Sequence, residues 1–195
     1  MPNHIRSVAV FCGTRPGNDP AHRAAAQALG RGIAEAGLTL VYGGGGIGLM
    51  GAVAEAALGA GGRVRGVIPE FLTRIERPYA ELTELEITTS MHTRKTRMFE
   101  LADAFITLSG GLGTMDETVE ILTWRQLGLH DKPVILLDIA GWAKPVVALI
   151  EALIAQGFVD PVHRRLYQVA PDVPTALELL RTAPSPEPAA PPERL

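Results

Sequence analysis

Cysteine is nearly absent from this chain, which has Cys12 and no other. An internal disulfide is therefore excluded, and the composition fits a reducing compartment such as the cytoplasm. The chain also lacks any uninterrupted apolar run close to the roughly 20 residues of a membrane-spanning helix. It has no excess of positive charge, since its net charge is -3, whereas proteins that bind nucleic acid usually carry such an excess. We expect a cytoplasmic protein that binds neither a membrane nor nucleic acid.

What the sequence does have is enough apolar material for one well-filled α/β domain, because 47% of its 195 residues are hydrophobic. Short runs that are apolar throughout alternate with helix-like stretches. This pattern is typical of a parallel sheet covered by helices on both faces. The predicted fold is therefore a Rossmann-like, doubly wound α/β domain over residues 1–182. Residues 183–195 are rich in proline and alanine, and we expect them to form a disordered tail.

The predicted elements alternate in type along most of the chain. Strands are expected at Ser7–Phe11, Leu38–Tyr42, Val64–Ile68, Glu84–Thr88, Ala104–Leu108, Val134–Asp138 and Leu166–Val169. Helices are expected at Ala21–Ala36, Ala52–Leu58, Met91–Leu101, Met115–Leu127, Trp142–Gln156 and Pro174–Leu180. In such sheets ligands bind beyond the carboxyl ends of the strands, and the turns at 12–17, 43–51 and 109–117 all fall at that edge.

The stretch Ser109–Glu117 places a glycine-rich turn between a predicted strand and a predicted helix. Such a turn aims free backbone N–H groups and the positive end of the helix dipole at one point, which is a phosphate site. Glu117 follows Thr114 by three residues and would repel a phosphate, so we expect it to serve another part of the ligand. The alternative is a structural role, since an acid in the first turn stabilises a helix N-terminus.

A second glycine-rich turn, Gly43–Gly51, superficially resembles a dinucleotide-binding fingerprint. Its glycines do not keep the G-x-G-x-x-G spacing, and no acidic residue ends the next predicted strand, so a nicotinamide cofactor is disfavoured. A tight turn alone can require glycine for its backbone geometry. Four consecutive glycines exceed that requirement, and we expect the backbone to approach a ligand closely here.

The predicted helix Met91–Leu101 carries two cations on an otherwise apolar face. Arg94 and Lys95 fall within its i, i+3, i+4, i+7 stripe, and a buried arginine needs an anionic or hydrogen-bonding partner. In the alternative, both side chains extend along the apolar surface to solvent. His92 has no other metal-ligand residue at a recognisable spacing, so we predict a structural role for it and no metal site.

These motifs resemble those of the cytokinin riboside 5′-monophosphate phosphoribohydrolases, the Lonely Guy family. The family signature P-G-G-x-G-T-x-x-E matches Ser109–Glu117, with serine in place of the proline, and the resemblance covers roughly Val8 to Leu180. Serine holds the same extended geometry less rigidly than proline. The other matching motifs, in the same order, are Cys12-Gly13-Thr14, Gly43–Gly51, Met91-His92-x-Arg94-Lys95 and Thr123-Trp124-x-Gln126-Leu127-Gly128.

The resemblance implies hydrolysis of the N-glycosidic bond of AMP or prenylated AMP, giving a free adenine-type base and ribose 5-phosphate. It implies that Arg94 and Glu117 are catalytic and that the protein is a homodimer with its sites near the interface. It implies neither a cofactor nor a metal. The residues that it implies in substrate binding are Gly13, Thr14, Gly45, Gly46, Glu70, Arg74, Met91, Lys95, Gly110, Gly111, Gly113 and Thr114.

Two other functions are possible for a chain with these motifs. A non-catalytic nucleotide-binding or cofactor-carrier protein would need the glycine loops but has no evident use for Arg94 and Glu117. A Rossmann domain that handles nucleic acid is disfavoured by the net charge of -3 and by the lack of an aromatic and basic strip. Members of the family are often labelled lysine decarboxylases, but the sequence has no convincing context for a lysine that holds pyridoxal phosphate.

Overall fold

Strands and helices alternate through residues 5–184, which are the residues that the computed structural model describes. The strands are Ser7–Phe11 (β1), Thr39–Tyr42 (β2), Arg63–Pro69 (β3), Glu84–Thr88 (β4), Ala104–Thr107 (β5), Val134–Leu137 (β6) and Gln168–Ala170 (β7). The helices are Pro20–Glu35 (α1), Gly48–Gly59 (α2), Thr73–Glu76 (α3), Met91–Leu101 (α4), Leu112–Gln126 (α5), Lys144–Ala155 (α6) and Val173–Thr182 (α7). Residues 185–195, most of the predicted tail, lie outside the described residues, so the tail and the domain boundary stay predictions.

The described strands form one seven-stranded sheet in the order β4-β3-β2-β1-β5-β6-β7, and every neighbouring pair is parallel. The chain adds strands on one side of β1 up to β4 and then on the other side from β5 to β7. Between β1 and β5 the direction reverses, and loops that leave such a reversal point open a crevice where ligands bind. The Rossmann-like, doubly wound parallel fold is thus confirmed.

Buried apolar side chains form two layers, one on each face of the sheet. Successive strand residues point to opposite faces. Val8 and Val10 therefore pack with α1, α2 and α7, whereas Ala9 and Phe11 pack with α4, α5 and α6. The central strands have no solvated face, which explains their uninterrupted apolar sequences. Within residues 5–184, no helix is both long enough and apolar enough to cross a membrane.

The starts of two helices follow directly from local sequence. The Asp19 carboxylate accepts a hydrogen bond from the Ala21 N–H at 2.8 Å, and proline occupies the first position of α1. Ser90 and Thr93 satisfy each other's backbone N–H groups in a capping box at the start of α4. This cap fixes the orientation of the helix that carries Arg94.

Two helices begin three or more residues earlier than predicted, and the short helix α3 is not predicted. α2 begins at Gly48 rather than Ala52, and α5 begins at Leu112 rather than Met115. Both true starts lie inside glycine-rich motifs, where the low helix propensity of glycine hides the first turn. The short helix α3 follows β3 in a stretch without clear periodicity. As a result, the residues 113 and 114 belong to the first turn of α5 and not to the loop before it.

Candidate active site

A pocket of about 710 Å³ opens at the carboxyl edge of the sheet, between the loops that follow β1 and β5. It therefore lies at the reversal of strand order, where the topology places a ligand. The residues that line it are Cys12, Gly13, Thr14, Arg15, Pro16, Gly17, His22, Leu49, Met50, Leu72, Glu76, Met91, Arg94, Ser109, Gly110, Gly111, Leu112, Gly113, Thr114, Glu117 and Trp142.

One side of the pocket is formed by Ser109–Thr114, which we call the open loop. Its first helical hydrogen bond runs from Met115 N to Gly111 O at 3.0 Å. The N–H groups of the first helical turn have no acceptor inside the helix, and the dipole adds positive potential there. A Cβ on Gly111 or Gly113 would meet no described atom within 4 Å. The space above these amides is therefore open to an anion.

Three hydrogen bonds hold the base of the open loop. The Gly13 N–H donates to Ser109 O at 3.0 Å, and the Trp142 indole N–H donates to Gly110 O at 3.0 Å. The Ser109 hydroxyl pairs with His22 Nδ1 at 2.8 Å. The loop is thus tied to α1, to the end of β1 and to the segment after β6.

Arg94 projects from α4 into the pocket, and only 3% of it is exposed. Its Nε donates to Val67 O at 3.1 Å, and Nη2 donates to Gly43 O at 3.0 Å. Those carbonyls belong to β3 and to the residue just after β2, so the main chain of two adjacent strands fixes the guanidinium. Such partners are what a buried arginine requires. The alternative in which Arg94 extends to solvent does not occur.

Glu117 lies on α5 beyond the open loop and is 5% exposed. Its Oε1 is 4.0 Å from Nη1 of Arg94. Burial raises the pKa of the Glu117 carboxyl to about 7, and the positive charge of Arg94 offsets this increase only in part. A carboxyl with such a pKa exchanges its proton near neutral pH, which suits an acid or base in catalysis.

A second carboxylate, which no sequence motif indicates, faces Arg94 at its other terminal nitrogen. Glu76 Oε2 lies 3.9 Å from Arg94 Nη2, and 13% of the Glu76 side chain is exposed. Burial raises the pKa of Glu76. Its Oε2 is buried and has no hydrogen-bond partner among residues 5–184. Because Glu76 sits on α3, which has no periodic signal, nothing in the sequence marked it.

Nine of the sequence-predicted site residues come together in the pocket wall. They are Gly13, Thr14, Met91, Arg94, Gly110, Gly111, Gly113, Thr114 and Glu117. They derive from the loops after β1 and β5 and from α4 and α5. Besides Glu76, the wall contains His22 and Trp142, which no motif had indicated.

The other predicted binding residues lie outside this wall; they are Gly45, Gly46, Glu70, Arg74 and Lys95. Lys95 Nζ lies 3.1 Å from Asp116 Oδ2 and 3.1 Å from Glu120 Oε2. It links α4 to α5 behind the site. Glu70 and Arg74 are exposed on the segment that follows β3. Their predicted role in substrate binding has no counterpart in the pocket wall of the single chain.

The residues Gly43–Gly48 connect β2 to α2, and we call them the packed loop. A Cβ on Gly43 would collide with Nη2 of Arg94. Gly48 has a φ of 61°, in the left-handed region, and its Cβ would collide with the main chain of Thr14. Only glycine combines this backbone conformation with so close an approach. At both positions the missing side chain makes room for the protein's own atoms.

The middle of the packed loop is also in contact with protein. Gly45 forms an antiparallel bridge with Pro78. The Gly46 N–H donates to Arg77 O at 2.9 Å. These contacts tie the packed loop to the chain just after α3. They thereby help to place Glu76 opposite Arg94.

The buried thiol of Cys12 also lines the pocket. Burial raises the pKa of this thiol far above its ordinary value, with a smaller contribution from Glu117. The thiolate, which is the nucleophilic form of cysteine, is therefore not available at neutral pH. In the described part of the chain, no three His, Cys, Asp or Glu side chains are grouped so that they could hold a metal ion.

Comparison with known proteins shows the family. A family model described as "Possible lysine decarboxylase" matches residues 50–180. The chain is 46% identical to the cytokinin riboside 5′-monophosphate phosphoribohydrolase of Rhodococcoides fascians, over 91% of this chain and 90% of the relative. Identity is 43% with a probable enzyme of the same name from Oryza sativa subsp. japonica, over 91% and 78%. It is 41% with the enzyme LOG7 of Arabidopsis thaliana, over 92% and 81%.

Solved structures show the same architecture. The molybdenum cofactor carrier protein of Chlamydomonas reinhardtii matches with a TM-score of 0.68 at 22% identity, over 91% of this chain and 96% of the other. The molybdenum cofactor binding protein of Rippkaea orientalis matches with a TM-score of 0.68 at 23% identity, over 92% and 97%. At these identities the likeness concerns the fold alone. By sequence, the chain belongs to the family of cytokinin riboside 5′-monophosphate phosphoribohydrolases.

Proposed function

We propose that this protein hydrolyses the N-glycosidic bond of AMP-type nucleoside 5′-monophosphates, including cytokinin riboside 5′-monophosphates. The products are the free adenine-type base and ribose 5-phosphate. The observation that carries the proposal is a buried carboxyl, Glu117, whose pKa is about 7 and which lies 4.0 Å from the buried Arg94. Relatives named for this activity match 91% of the chain.

The open loop binds the 5′-phosphate. The space beside Gly111 and Gly113 is open, and the first-turn N–H groups and the dipole of α5 attract an anion there, next to Gly110. The Thr114 hydroxyl adds a donor at the pocket wall. A phosphate anchored here leaves the ribose to extend toward Glu117. The carboxylate then faces the sugar, where a negative charge is useful.

The reaction breaks the bond between ribose C1′ and the base nitrogen. The bonding electron pair leaves with the base, and positive charge develops on the ribose ring. Ionised Glu117 stabilises that charge and accepts a proton from the water whose oxygen bonds to C1′. The departing base takes up a proton from solvent, and Glu117 returns its own to solvent. One water is consumed for each bond broken.

Arg94 and Glu76 support this chemistry from the side of β2 and β3. Arg94 holds Glu117 in place and limits the rise of its pKa, because the positive charge favours the ionised carboxylate. Glu76 offers the nucleotide's hydroxyl or amino groups a buried oxygen that accepts no hydrogen bond within residues 5–184. A buried acceptor gains most from such a donor. Met91 supplies an apolar contact for the base at the pocket wall.

Decarboxylation of lysine, the activity in the description of the family model, does not fit the pocket. Enzymes that use pyridoxal phosphate bind it through a Schiff base to a lysine. No lysine lines the pocket within residues 5–184. Lys95, the lysine of the arginine-lysine motif, is bound by Asp116 and Glu120 instead.

We also propose that the protein is a cytoplasmic homodimer in which α5 contributes to the interface. Three large apolar side chains of α5 and its end are exposed: Leu112 at 90%, Val119 at 50% and Leu127 at 67%. Exposed apolar groups of this kind mark protein interfaces. Leu112 also lines the pocket, so a partner on this face would lie beside the site. Light scattering during size-exclusion chromatography tests this, and the mass of one chain would contradict it.

The experiment that tests the activity is a substrate panel. Purified protein is incubated with AMP, isopentenyl-AMP, other nucleoside monophosphates and the corresponding dephosphorylated nucleosides, and the free base is quantified by chromatography. We expect base release from adenine nucleotides and little from nucleosides, because the open loop needs a phosphate. The ratio of AMP to isopentenyl-AMP turnover defines the preferred base. Nucleotide binding without base release would contradict hydrolysis and indicate a carrier.

A further inference from the structure

The open loop has an unusual weakness in this chain. Three of its six residues are glycines, which have the widest backbone freedom. At its first position Ser109 stands where the family signature has proline, so one source of rigidity is missing. A loop that binds phosphate through its amides gains affinity when those amides are already in place, because ordering them on binding costs free energy. Another restraint should therefore replace the proline.

The restraint that takes the place of the proline is a hydrogen bond of the Ser109 side chain. The Ser109 side chain is 4% exposed, and its hydroxyl is 2.8 Å from Nδ1 of His22. The other two restraints, from Gly13 and Trp142, act on carbonyl oxygens of the loop. A proline would retain both of those carbonyl contacts. The contact with His22 is therefore the one that depends on serine at this position.

His22 is itself held by a rigid element. It lies in the first turns of α1, close to the Asp19 cap, and the same helix packs into the apolar core through Ala26 and Leu29. A Cβ on Gly17 would be 2.9 Å from Cδ2 of the His22 ring, so glycine there allows the ring its position. A side chain fixed in this way can transmit the rigidity of a helix to a loop.

We propose that His22 is a positioning residue for the open loop and that its hydrogen bond to Ser109 substitutes for the proline of the family signature. His22 acts through Ser109 on the amides that receive the 5′-phosphate. It thereby contributes to the selection of phosphorylated over unphosphorylated ligands. The inference rests on the proposed function, because it concerns the phosphate subsite of that same pocket.

The test is a mutant cycle read by ligand binding. Isothermal titration calorimetry measures ribose 5-phosphate and adenine binding to the wild type, His22→Ala, Ser109→Ala, Ser109→Pro and the double variant His22→Ala with Ser109→Pro. Loss of the hydrogen bond should weaken ribose 5-phosphate binding about three- to tenfold in either alanine variant, the range expected for one hydrogen bond. Adenine binding should not change.

The decisive comparison is the effect of His22→Ala in the two backgrounds. With Ser109→Pro, the loop is restrained by the pyrrolidine ring, and His22→Ala should cost little or nothing. If His22 only stabilised the fold, His22→Ala would lower the ribose 5-phosphate affinity or the melting temperature equally with Ser109 and with Ser109→Pro. That result would overturn the proposal. Unchanged ribose 5-phosphate binding in Ser109→Ala would also overturn it. His163→Ala, which removes an imidazole outside the pocket wall, is the matched control.

The cycle separates this inference from the activity. If the wild type releases no base from any nucleotide, the proposed hydrolysis fails while the binding cycle still decides the role of His22. If base is released but His22→Ala has the same effect with and without Ser109→Pro, the inference fails and the hydrolysis stands. Should His22→Ala not fold, Ser109→Ala breaks the same hydrogen bond from the loop side.

Discussion

The two glycine-rich loops of this protein have similar compositions and opposite uses. In the packed loop, side chains at Gly43 and Gly48 would collide with Arg94 and with the main chain of Thr14. In the open loop, side chains at Gly111 and Gly113 would meet no described atom within 4 Å. The packed loop lacks side chains because protein fills the space. At Gly111 and Gly113 the open loop lacks side chains although the space is free, whereas Gly110 is packed against Thr114.

This contrast explains how the pocket acquires its charges. The packed loop admits the guanidinium of Arg94 against Gly43 O, deep at the carboxyl edge of β2 and β3. The open loop leaves the N-terminal amides of α5 uncovered and places Glu117 just beyond them. The packed loop therefore holds the positive charge of Arg94, and the open loop leads into the helix that carries Glu117. Predictions that separate the two loops also test the proposed roles.

The largest expected effect is on turnover and comes from the carboxylate beyond the open loop. Glu117→Gln should lower kcat by about 10²–10⁴-fold, the usual contribution of a general acid or base. Folding and ribose 5-phosphate binding should persist, since the phosphate amides are untouched. Base release from AMP measured at neutral pH checks this.

A matched control for that variant is Glu151→Gln. Glu151 also pairs with an arginine, Arg164, but on the exposed face of α6. It should retain wild-type turnover because it lies outside the pocket wall. If Glu117→Gln turned over AMP as fast as Glu151→Gln, Glu117 would have a structural role only.

The second effect concerns stability as a function of pH. Glu117 has a folded-state pKa of about 7, raised by burial from its ordinary value of 4.5. Between these values the unfolded chain loses its proton more readily, so the free energy of unfolding should fall as the pH rises from about 4.5 to about 7. The stability that protonated Glu117 allows is fully present below this pH window and is lost above it. The size is up to about 3 kcal/mol.

Urea denaturation at pH 5 and pH 8 measures this effect in the wild type and in Glu117→Gln. Glutamine does not titrate, so its stability should decline less between the two pH values. An equal decline in both proteins would mean that ionised Glu117 is not destabilised by burial. Because the proposed reaction uses ionised Glu117, kcat/KM should rise with pH toward about 7. Glu117→Gln should lose this rise.

The smallest effects come from single methyl groups added to the two loops. Gly43→Ala should lower the free energy of unfolding by about 1–3 kcal/mol, because the new Cβ displaces Arg94. Gly111→Ala should change stability by less than about 0.5 kcal/mol, because its Cβ enters free space. Ribose 5-phosphate binding should weaken in Gly111→Ala, since the methyl group occupies the phosphate subsite.

Melting curves and calorimetric titrations of the two alanine variants provide the comparison. Similar losses of stability would show that the loops do not differ in packing. Full ribose 5-phosphate affinity in Gly111→Ala would place the phosphate elsewhere. Gly59→Ala is the control, because Gly59 lies in α2 with open space around it. Gly61→Ala is unsuitable, because Gly61 has a φ of 77°.

The parts of the fold that the sequence predicts are those with a local signal. The start of α4 is readable because Ser90 and Thr93 form its cap, and the central strands are readable because both of their faces are buried. Glu117 can be identified from the sequence because a carboxylate next to a phosphate-binding turn would repel the phosphate and so needs another role. Arg94 is readable because it interrupts an apolar face. Each of these signals lies within a few residues of the group it identifies.

The parts that the sequence does not predict depend on distant contacts. His22 and Ser109 are 87 positions apart, so their hydrogen bond leaves no local trace. Glu76 is placed by a short helix and by a bridge between Gly45 and Pro78. Glycine content is equally uninformative, since it does not distinguish room for a ligand from room for protein. The early start of α5 is hidden because glycine has a low helix propensity.

The reversal of strand order between β1 and β5 has a consequence for the life of the chain after synthesis. The pocket draws its wall from residues as far apart as Cys12 and Trp142, so it forms only when the strands on both sides of the reversal are in place. A bound nucleotide therefore selects the completed sheet and at one hundred times its Kd adds about 2.7 kcal/mol to native stability. Unliganded chains open more often and are cleaved sooner by proteases.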